Sequence, residues 1–151
     1  MPASNTPDRT TVLLRHDLPD GTSHVDWMIA PDGMNGRDLL VTFRVAGRID
    51  ELTAGGRLDA RRLGDHRRTY LTYEGPVPNA RGTVRRLASG VVVSWRRDLD
   101  RWHMEIDWFV PAGGLRRQRL DVSRQRPGDV WAIEAAETSR EDPVVDPRLG
   151  V

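Results

Sequence analysis

The chain contains no cysteine and no lysine. Without cysteine there are no disulfides, no thiolate nucleophile and no cysteine-ligated zinc site. Without lysine there is no Schiff base, no lysyl-nucleotide intermediate and no P-loop lysine. All 23 basic residues are therefore arginine, whose planar guanidinium binds phosphate through paired hydrogen bonds. A GC-rich genome would give the same bias without a functional cause.

Long apolar segments are also missing. The sequence has no run of about 18 apolar residues that could form a membrane-spanning helix. Residues 1–10 are polar and lack the apolar stretch of a secretory signal. We therefore expect a cytoplasmic protein with no membrane partner.

A net charge of +1 conceals an uneven distribution of arginine. Residues 57–126 carry 16 arginines against 8 acidic residues, whereas both flanking regions are acidic overall. A basic middle region is typical of a protein that binds a polyanion such as nucleic acid. A solvated surface with arginines spread over all faces is the alternative interpretation.

Short runs rich in valine, tryptophan, threonine and isoleucine recur between turn residues. They predict an all-β protein, a compact single-domain β-barrel with little helix. A short helix is possible only at residues 50–63. The predicted strands are 11–16, 24–30, 39–45, 69–74, 83–87, 91–96, 102–109, 118–123 and 130–135.

The domain boundaries follow from the same pattern. We expect a disordered N-terminus at residues 1–10, the barrel domain at 11–136, and a flexible acidic tail at 137–151. All five tryptophans fall in predicted strands, where core packing is the expected role. Trp27 should pack in the layer opposite His24 and Asp26 because strand side chains alternate.

Three of the four histidines lie in two short polar motifs. In the first histidine motif, residues 16–26, His24 and Asp26 should share one strand face. A turn at Pro19-Asp20-Gly21 should return the chain so that His16 joins them. Two imidazoles and a carboxylate form a donor set that binds divalent transition metals and leaves coordination positions open. The alternatives are a surface histidine beside an acid, or an aspartate that caps a turn.

The second histidine motif, residues 65–70, contains His66, Arg68 and Tyr70. Read as a strand, it places these three side chains on one face. His66 could act as a general acid or donate to a phosphate oxygen, and Tyr70 could bind the same phosphate. The solvated face of an edge strand would show the same pattern.

Further residues extend the two motifs into a longer pattern. In chain order it reads His16-Asp17, His24-Val25-Asp26, Asp65-His66 with Tyr70, Glu74-Gly75-Pro76 and Gly82-Thr83-Val84. This order resembles the 3′-phosphoesterase domain at the N-terminus of bacterial DNA ligase D, and still more the short stand-alone proteins related to it. The similarity covers roughly residues 11–135 and is most specific between Asp65 and Val84.

The resemblance implies a β-barrel with a site for Mn²⁺, with Zn²⁺ or another transition metal as the alternative. It implies removal of a 3′-phosphate or a 3′-terminal ribonucleotide during DNA repair. The partners would be DNA or RNA 3′ ends and possible DNA end-joining proteins. Carried over by position, His16, His24 and Asp26 are the metal ligands, and His66 and Tyr70 bind the scissile phosphate.

Two positions depart from the family pattern. Met28 stands where the ligase domain has a phosphate-binding arginine, and the spacer between Asp17 and His24 is about two residues longer. Arg68 or Arg15 could supply the missing guanidinium. A non-catalytic, metal-containing module that binds nucleic-acid ends for repair is therefore an alternative function. A metal-binding barrel acting on a small phosphorylated substrate is another.

Overall fold

The computed structural model describes residues 9–30, 39–125 and 128–137, with the backbone alone at Arg67 and Arg68. The predicted disordered N-terminus and acidic tail lie outside the described residues, apart from residues 9–10 and 137. The first strand begins at Thr10 and the last ends at Ala136. None of the described helices is long and apolar enough to cross a membrane.

Nine strands and two short 3-10 turns make up the described chain. The turns are Ile49–Glu51 and Arg68–Leu71, which we call the first and second 3-10 turns. The strands are β1 Thr10–Asp17, β2 Ser23–Ile29, β3 Leu39–Val45, β4 Arg57–Arg67, β5 Gly75–Pro76, β6 Thr83–Arg97, β7 Arg101–Phe109, β8 Leu115–Gln125 and β9 Val130–Ala136.

The strands form one antiparallel sheet in the order β1-β2-β3-β4-β9-β8-β7-β6-β5. A further pairing between β1 and β6 closes eight of these strands into a barrel, and the two-residue β5 adds to the start of β6. The predicted all-β barrel is therefore confirmed. Closure places β1 between β2 and the long β6, so that β1 is paired on both sides.

Two apolar clusters lie on opposite sides of β1–β3. The barrel interior holds one of them, in which Trp27 stacks on Phe43 with ring centroids 5.7 Å apart. All five tryptophans lie in strands and pack in or against this interior cluster, as predicted for Trp27 in particular. The second cluster is on the outside of the barrel and contains Val12, Leu14, Met28, Ala30, Leu40 and Leu71.

The outer cluster determines where the second histidine motif sits. Leu71 of the second 3-10 turn is buried in this cluster, and Tyr70 packs against it. Burial of these two side chains therefore fixes the segment after β4 over the outer face of β1 and β2. The polar residues of that segment are carried to the same face.

Two predicted elements are wrong. Residues 50–63 do not form a helix, because the first 3-10 turn ends at Glu51 and β4 begins at Arg57. Leu58 and Ala60 of β4 pack with the interior cluster, and pairing with both β3 and β9 selects the extended conformation. Residues 69–74 are not a strand, since the second 3-10 turn occupies their start.

A further difference concerns the predicted strands 83–87 and 91–96. They are one continuous strand, β6, which passes through Ser89-Gly90 without a turn. Gly90 lies opposite Trp108, and a Cβ at this position would lie 2.5 Å from the carbonyl oxygen of Asp107 and 3.1 Å from the indole ring. Glycine is therefore required here by close packing rather than by a reversal of the chain.

Candidate functional site

A cavity of about 680 Å³ lies on the outside of the barrel, between the β1–β2 hairpin and the segment that follows β4. His16 and Asp26 of the first histidine motif line it, and so do His66 and Tyr70 of the second. Asp26 and His66 are 40 residues apart in sequence. The two motifs therefore meet at one cavity. Its other lining residues are Leu14, Met28, Asp65, Thr69, Tyr73, Val77, Pro78, Asn79, Arg81 and Val84.

The β1–β2 hairpin arranges the first histidine motif as predicted. His16 lies directly opposite His24, with ring centroids 6.3 Å apart, and Leu14 lies opposite Asp26. The turn is held by Asp20, whose carboxylate accepts hydrogen bonds from the Thr22 hydroxyl and amide. These bonds lower the pKa of Asp20.

Hydrogen bonds orient the His16 and Asp26 side chains. The Nε2 atom of His16 lies 2.7 Å from the carbonyl oxygen of Arg81, so Nε2–H donates and Nδ1 is left as the acceptor nitrogen. Asp26 is only 4% exposed, and its Oδ1 accepts a 3.3 Å bond from the Nε of Arg44. Burying a carboxylate costs free energy unless a cationic or hydrogen-bonding partner such as Arg44 compensates its charge.

The donor chemistry of His16, His24 and Asp26 fits a divalent transition metal. In metal-binding imidazoles the N–H of the second ring nitrogen commonly donates a hydrogen bond to a backbone carbonyl or carboxylate, as that of His16 does to the Arg81 carbonyl. Within the described part of the chain, however, no three His, Asp or Glu side chains form a group arranged to hold an ion. His24 is also not among the cavity-lining residues. The assignment of these three ligands stays a prediction.

The second histidine motif reaches the cavity through a different backbone than predicted. His66 lies near the end of β4, after a bulge where Leu40 pairs with His66 but Thr42 pairs with Leu63. Tyr70 lies in the second 3-10 turn. The His66 and Tyr70 ring centroids are nevertheless 6.2 Å apart. A helical turn after a strand thus brings together two side chains that we expected along one strand.

The hydrogen bonding of His66 defines its free nitrogen. Nδ1 lies 2.8 Å from the carbonyl oxygen of Gly64, so Nδ1–H donates and Nε2 is available to a ligand. The Tyr70 ring packs between His66 and Tyr73, whose hydroxyl donates to the carbonyl of Pro76. These contacts hold both aromatic side chains against the cavity wall.

Arg15 and Arg68 are the two arginines that the sequence suggested as phosphate ligands, and the structure describes the side chain of Arg15 alone. Arg15 alternates with the cavity-lining Leu14 and His16, and it forms a 2.8 Å ion pair with Asp17. It therefore lies on the other side of β1, away from the cavity, and the prediction for Arg15 does not fit this geometry. Arg68 is in the second 3-10 turn, and its side chain is outside the described part of the structure.

Arg81 is a cavity-lining arginine that the sequence reasoning did not single out. It lies in the loop between β5 and β6, where its Nε donates to the carbonyl of Pro78 at 2.8 Å. Asn79 and Ala80 have left-handed backbone conformations, with φ of 66° and 54°. In the sequence, only its position directly before Gly82-Thr83-Val84 marked Arg81. The loop that brings Arg81 to the cavity depends on tertiary contacts, which the sequence does not reveal.

Met28 forms part of the cavity wall. It is 2% exposed and packs in the outer cluster with Val12 and Leu14. An apolar side chain therefore occupies the position at which the resembling family has a phosphate-binding arginine.

Gly82 allows the β5–β6 loop to approach β1. Its φ is +98°, and a Cβ at this position would overlap the carbonyl oxygen of Asp17. We expect Gly82→Ala to destabilise the fold by on the order of 3 kcal/mol, from backbone strain plus steric overlap. Gly113→Ala is the matched control, since Gly113 has φ +103° but no neighbour within 4 Å of a Cβ. It should cost about 1–2 kcal/mol.

Thermal unfolding of both variants tests this role of Gly82. The extra destabilisation corresponds to a melting temperature about 5 °C below that of Gly113→Ala. Equal melting temperatures would show that the loop moves away from β1 without penalty. In that case Arg81 would not be rigidly positioned against His16.

Comparisons with known proteins do not identify the chain. No protein-family model matches it, and no curated protein matches it closely enough to be counted as a relative. The residues of the site itself are therefore the basis for a function.

Proposed function

We propose that this protein is a metal-dependent phosphoesterase that trims nucleic-acid 3′ ends in DNA repair. It would remove a 3′-phosphate or a 3′-terminal ribonucleotide, as the resemblance to the ligase D phosphoesterase domain implies. The observation that carries the proposal is that both histidine motifs line one cavity of about 680 Å³. This volume suits a small terminal group of a larger substrate.

His16, His24 and Asp26 would hold the divalent ion, with Mn²⁺ the first choice and Zn²⁺ or another transition metal the alternative. When bound, such an ion supplies positive charge toward a phosphate and makes water a stronger nucleophile at neutral pH. His16 is prepared for this role because the Arg81 carbonyl fixes its ring through Nε2.

His66, Tyr70 and Arg81 would act on the phosphate. Hydrolysis forms a bond between phosphorus and a water oxygen, which gives up a proton to solvent, and breaks the bond to the 3′ oxygen, which takes up a proton. The imidazolium form of His66 would be the donor, since its Nε2–H is not used in the Gly64 hydrogen bond, and the ring would regain that proton from solvent. The Tyr70 hydroxyl and the Arg81 guanidinium would donate to the non-bridging oxygens.

The charge of the chain supports a nucleic-acid substrate. The basic region 57–126 contains all of β4 to β8, together with the whole second histidine motif. Contacts from its arginines to phosphates would make affinity fall with increasing salt. A cytoplasmic location and contact with DNA end-joining proteins belong to the same proposal.

Phosphate release from a 3′-phosphorylated DNA primer tests the proposed function. We expect turnover with Mn²⁺, none in EDTA, and recovery when Mn²⁺ is added back. A 5′-phosphorylated primer of the same sequence is the control and should not be cleaved. Absence of turnover from folded protein with Mn²⁺ would reject the phosphoesterase assignment.

Met28 favours one second candidate, the non-catalytic end-binding module for repair. A buried methionine in the cavity wall provides no positive charge toward a phosphate. This candidate predicts Mn²⁺-dependent binding of the 3′-phosphorylated primer with no product at any protein concentration. Product formation would exclude it.

A further inference from the structure

A pair of arginines lies on the aromatic residues at the end of the barrel next to the β6–β7 hairpin. The guanidinium carbon of Arg97, the last residue of β6, is 4.6 Å from the ring centroids of both Trp95 and Trp102. That of Arg62, from β4, is 5.5 Å from the Trp102 ring and 5.6 Å from the Phe43 ring. Two cations therefore share one indole ring.

The charge of this pair is only partly compensated. Asp65 is the nearby carboxylate, and its Oδ1 is 3.6 Å from Arg62 Nη2. Burial and the charge of Arg62 both lower the pKa of Arg97, and Asp65 opposes that shift. One carboxylate thus faces two guanidinium groups that repel each other. A second anion at this position would be stabilised by both.

Two hydrogen-bond donors are buried at the same end of the barrel. Arg62 Nε and Trp95 Nε1 are buried and have no hydrogen-bond partner among the described residues. An adjoining cavity of about 440 Å³ is lined by Arg9, Trp95 and Arg97, among others. Phosphate oxygens are strong acceptors for guanidinium donors, so this donor set suits a phosphate group.

The arginine pair lies next to the candidate site. Asp65, the partner of Arg62, also lines the 680 Å³ cavity beside His66. Arg62 and His66 are four residues apart on β4, with the bulge between Leu63 and His66 separating them. A molecule with a single phosphate could occupy only one of the two places at a time, whereas a polynucleotide could occupy both.

We propose that Arg62 and Arg97 form a second phosphate-binding site, which holds an internal phosphodiester of a nucleic-acid strand whose 3′ end is in the cavity. The placement of the 3′ end rests on the proposed function. The second site goes further, because it names the residues that would hold the strand away from its 3′ end.

Binding of a fluorescent 3′-phosphorylated 12-nucleotide DNA strand to Arg97→Gln tests this site. We expect the Kd at 50 mM salt to rise about tenfold and the slope of log Kd against log salt to fall by about one. Inorganic phosphate cannot span both sites, so its binding at the cavity should persist in the variant. Arg116→Gln is the control, because Arg116 is an exposed arginine at the start of β8, distant along the strands from Arg97.

Arg97→Lys separates charge from packing. It retains the cation, so we expect strand affinity within about threefold of wild type. Equal loss in Arg97→Lys and Arg97→Gln would assign the effect to packing on the tryptophans and overturn the proposal. Equal affinities of Arg97→Gln and Arg116→Gln would also overturn it. Displacement of the strand by polyglutamate of equal charge and at equal concentration would reject nucleic acid as the ligand.

Failure of this inference is distinguishable from failure of the proposed function. If the wild type releases phosphate and Arg97→Gln binds strands as tightly as the wild type, the second site is rejected and the phosphoesterase proposal stands. A wild-type protein that releases none, but binds strands through Arg97, would leave the second site intact.

Discussion

His66→Ala is expected to lower the rate of phosphate release from a 3′-phosphorylated strand by about 10²- to 10⁴-fold, the usual contribution of general acid catalysis. The structure gives the physical reason. Nδ1 of His66 is held by the Gly64 carbonyl, the ring lies beside Tyr70 at the cavity, and Nε2 remains for the leaving oxygen. The measurement is single-turnover product formation with excess protein and Mn²⁺.

His103→Ala is the control for this prediction. His103 bonds Asp121 at 2.6 Å on the outer face of the β7–β8 pair and does not line the cavity. We expect His103→Ala to leave the rate of phosphate release within about threefold of the wild-type rate. Mn²⁺ binding should be unchanged in both variants, because His66 is not a proposed ligand. A rate for His66→Ala equal to that of His103→Ala would remove His66 from the mechanism.

Substitution of Asp26 by Asn, or of His16 by Ala, is expected to weaken Mn²⁺ binding at least about 100-fold and to abolish phosphate release. A loss of this size exceeds the roughly 10- to 100-fold cost of changing a residue that only supports a ligand. Asn in place of Asp26 has nearly the same shape but carries no charge. Mn²⁺ binding can be measured without substrate, from the loss of the free-ion electron paramagnetic resonance signal on titration.

Asp17→Asn is the matched control for the metal ligands. Asp17 directly follows His16, but it pairs with Arg15 on the other face of β1. We expect its Mn²⁺ affinity to equal that of the wild type. Release of phosphate without any Mn²⁺ requirement, or equal Mn²⁺ affinities for the Asp26 and Asp17 variants, would contradict the proposed metal site.

Local sequence patterns predicted most of the barrel correctly. The strand Arg101–Phe109 alternates core-facing and outward residues, which is a property of the chain alone. The His16–His24 pairing was also predictable, since it depends only on the turn at Pro19-Asp20-Gly21 and on the register of one hairpin.

β4 was not predictable because its residues carry a weak local signal. Arg57-Leu58-Asp59-Ala60-Arg61-Arg62 contains few strand-forming residues. It is extended because β3 and β9 provide hydrogen-bond partners on both sides. Tertiary pairing overrode the local preference. The strand predicted at residues 69–74 is wrong for a related reason. Leu71 is buried in the outer cluster, and the second 3-10 turn places it there.

The residue types of the candidate site, two histidine motifs in an arginine-rich β protein without lysine or cysteine, were evident from the sequence by itself. Alternation also determined that His24 and Asp26 would share a face, because it is a local property of a strand. Only the tertiary structure decided that the motifs share a cavity, that Arg81 lines it and Arg15 does not, and that Arg62 and Arg97 lie together beside Asp65. Those contacts join β1, β2, β4, β6 and two loops across long sequence separations, and barrel closure together with burial of the outer cluster determines them.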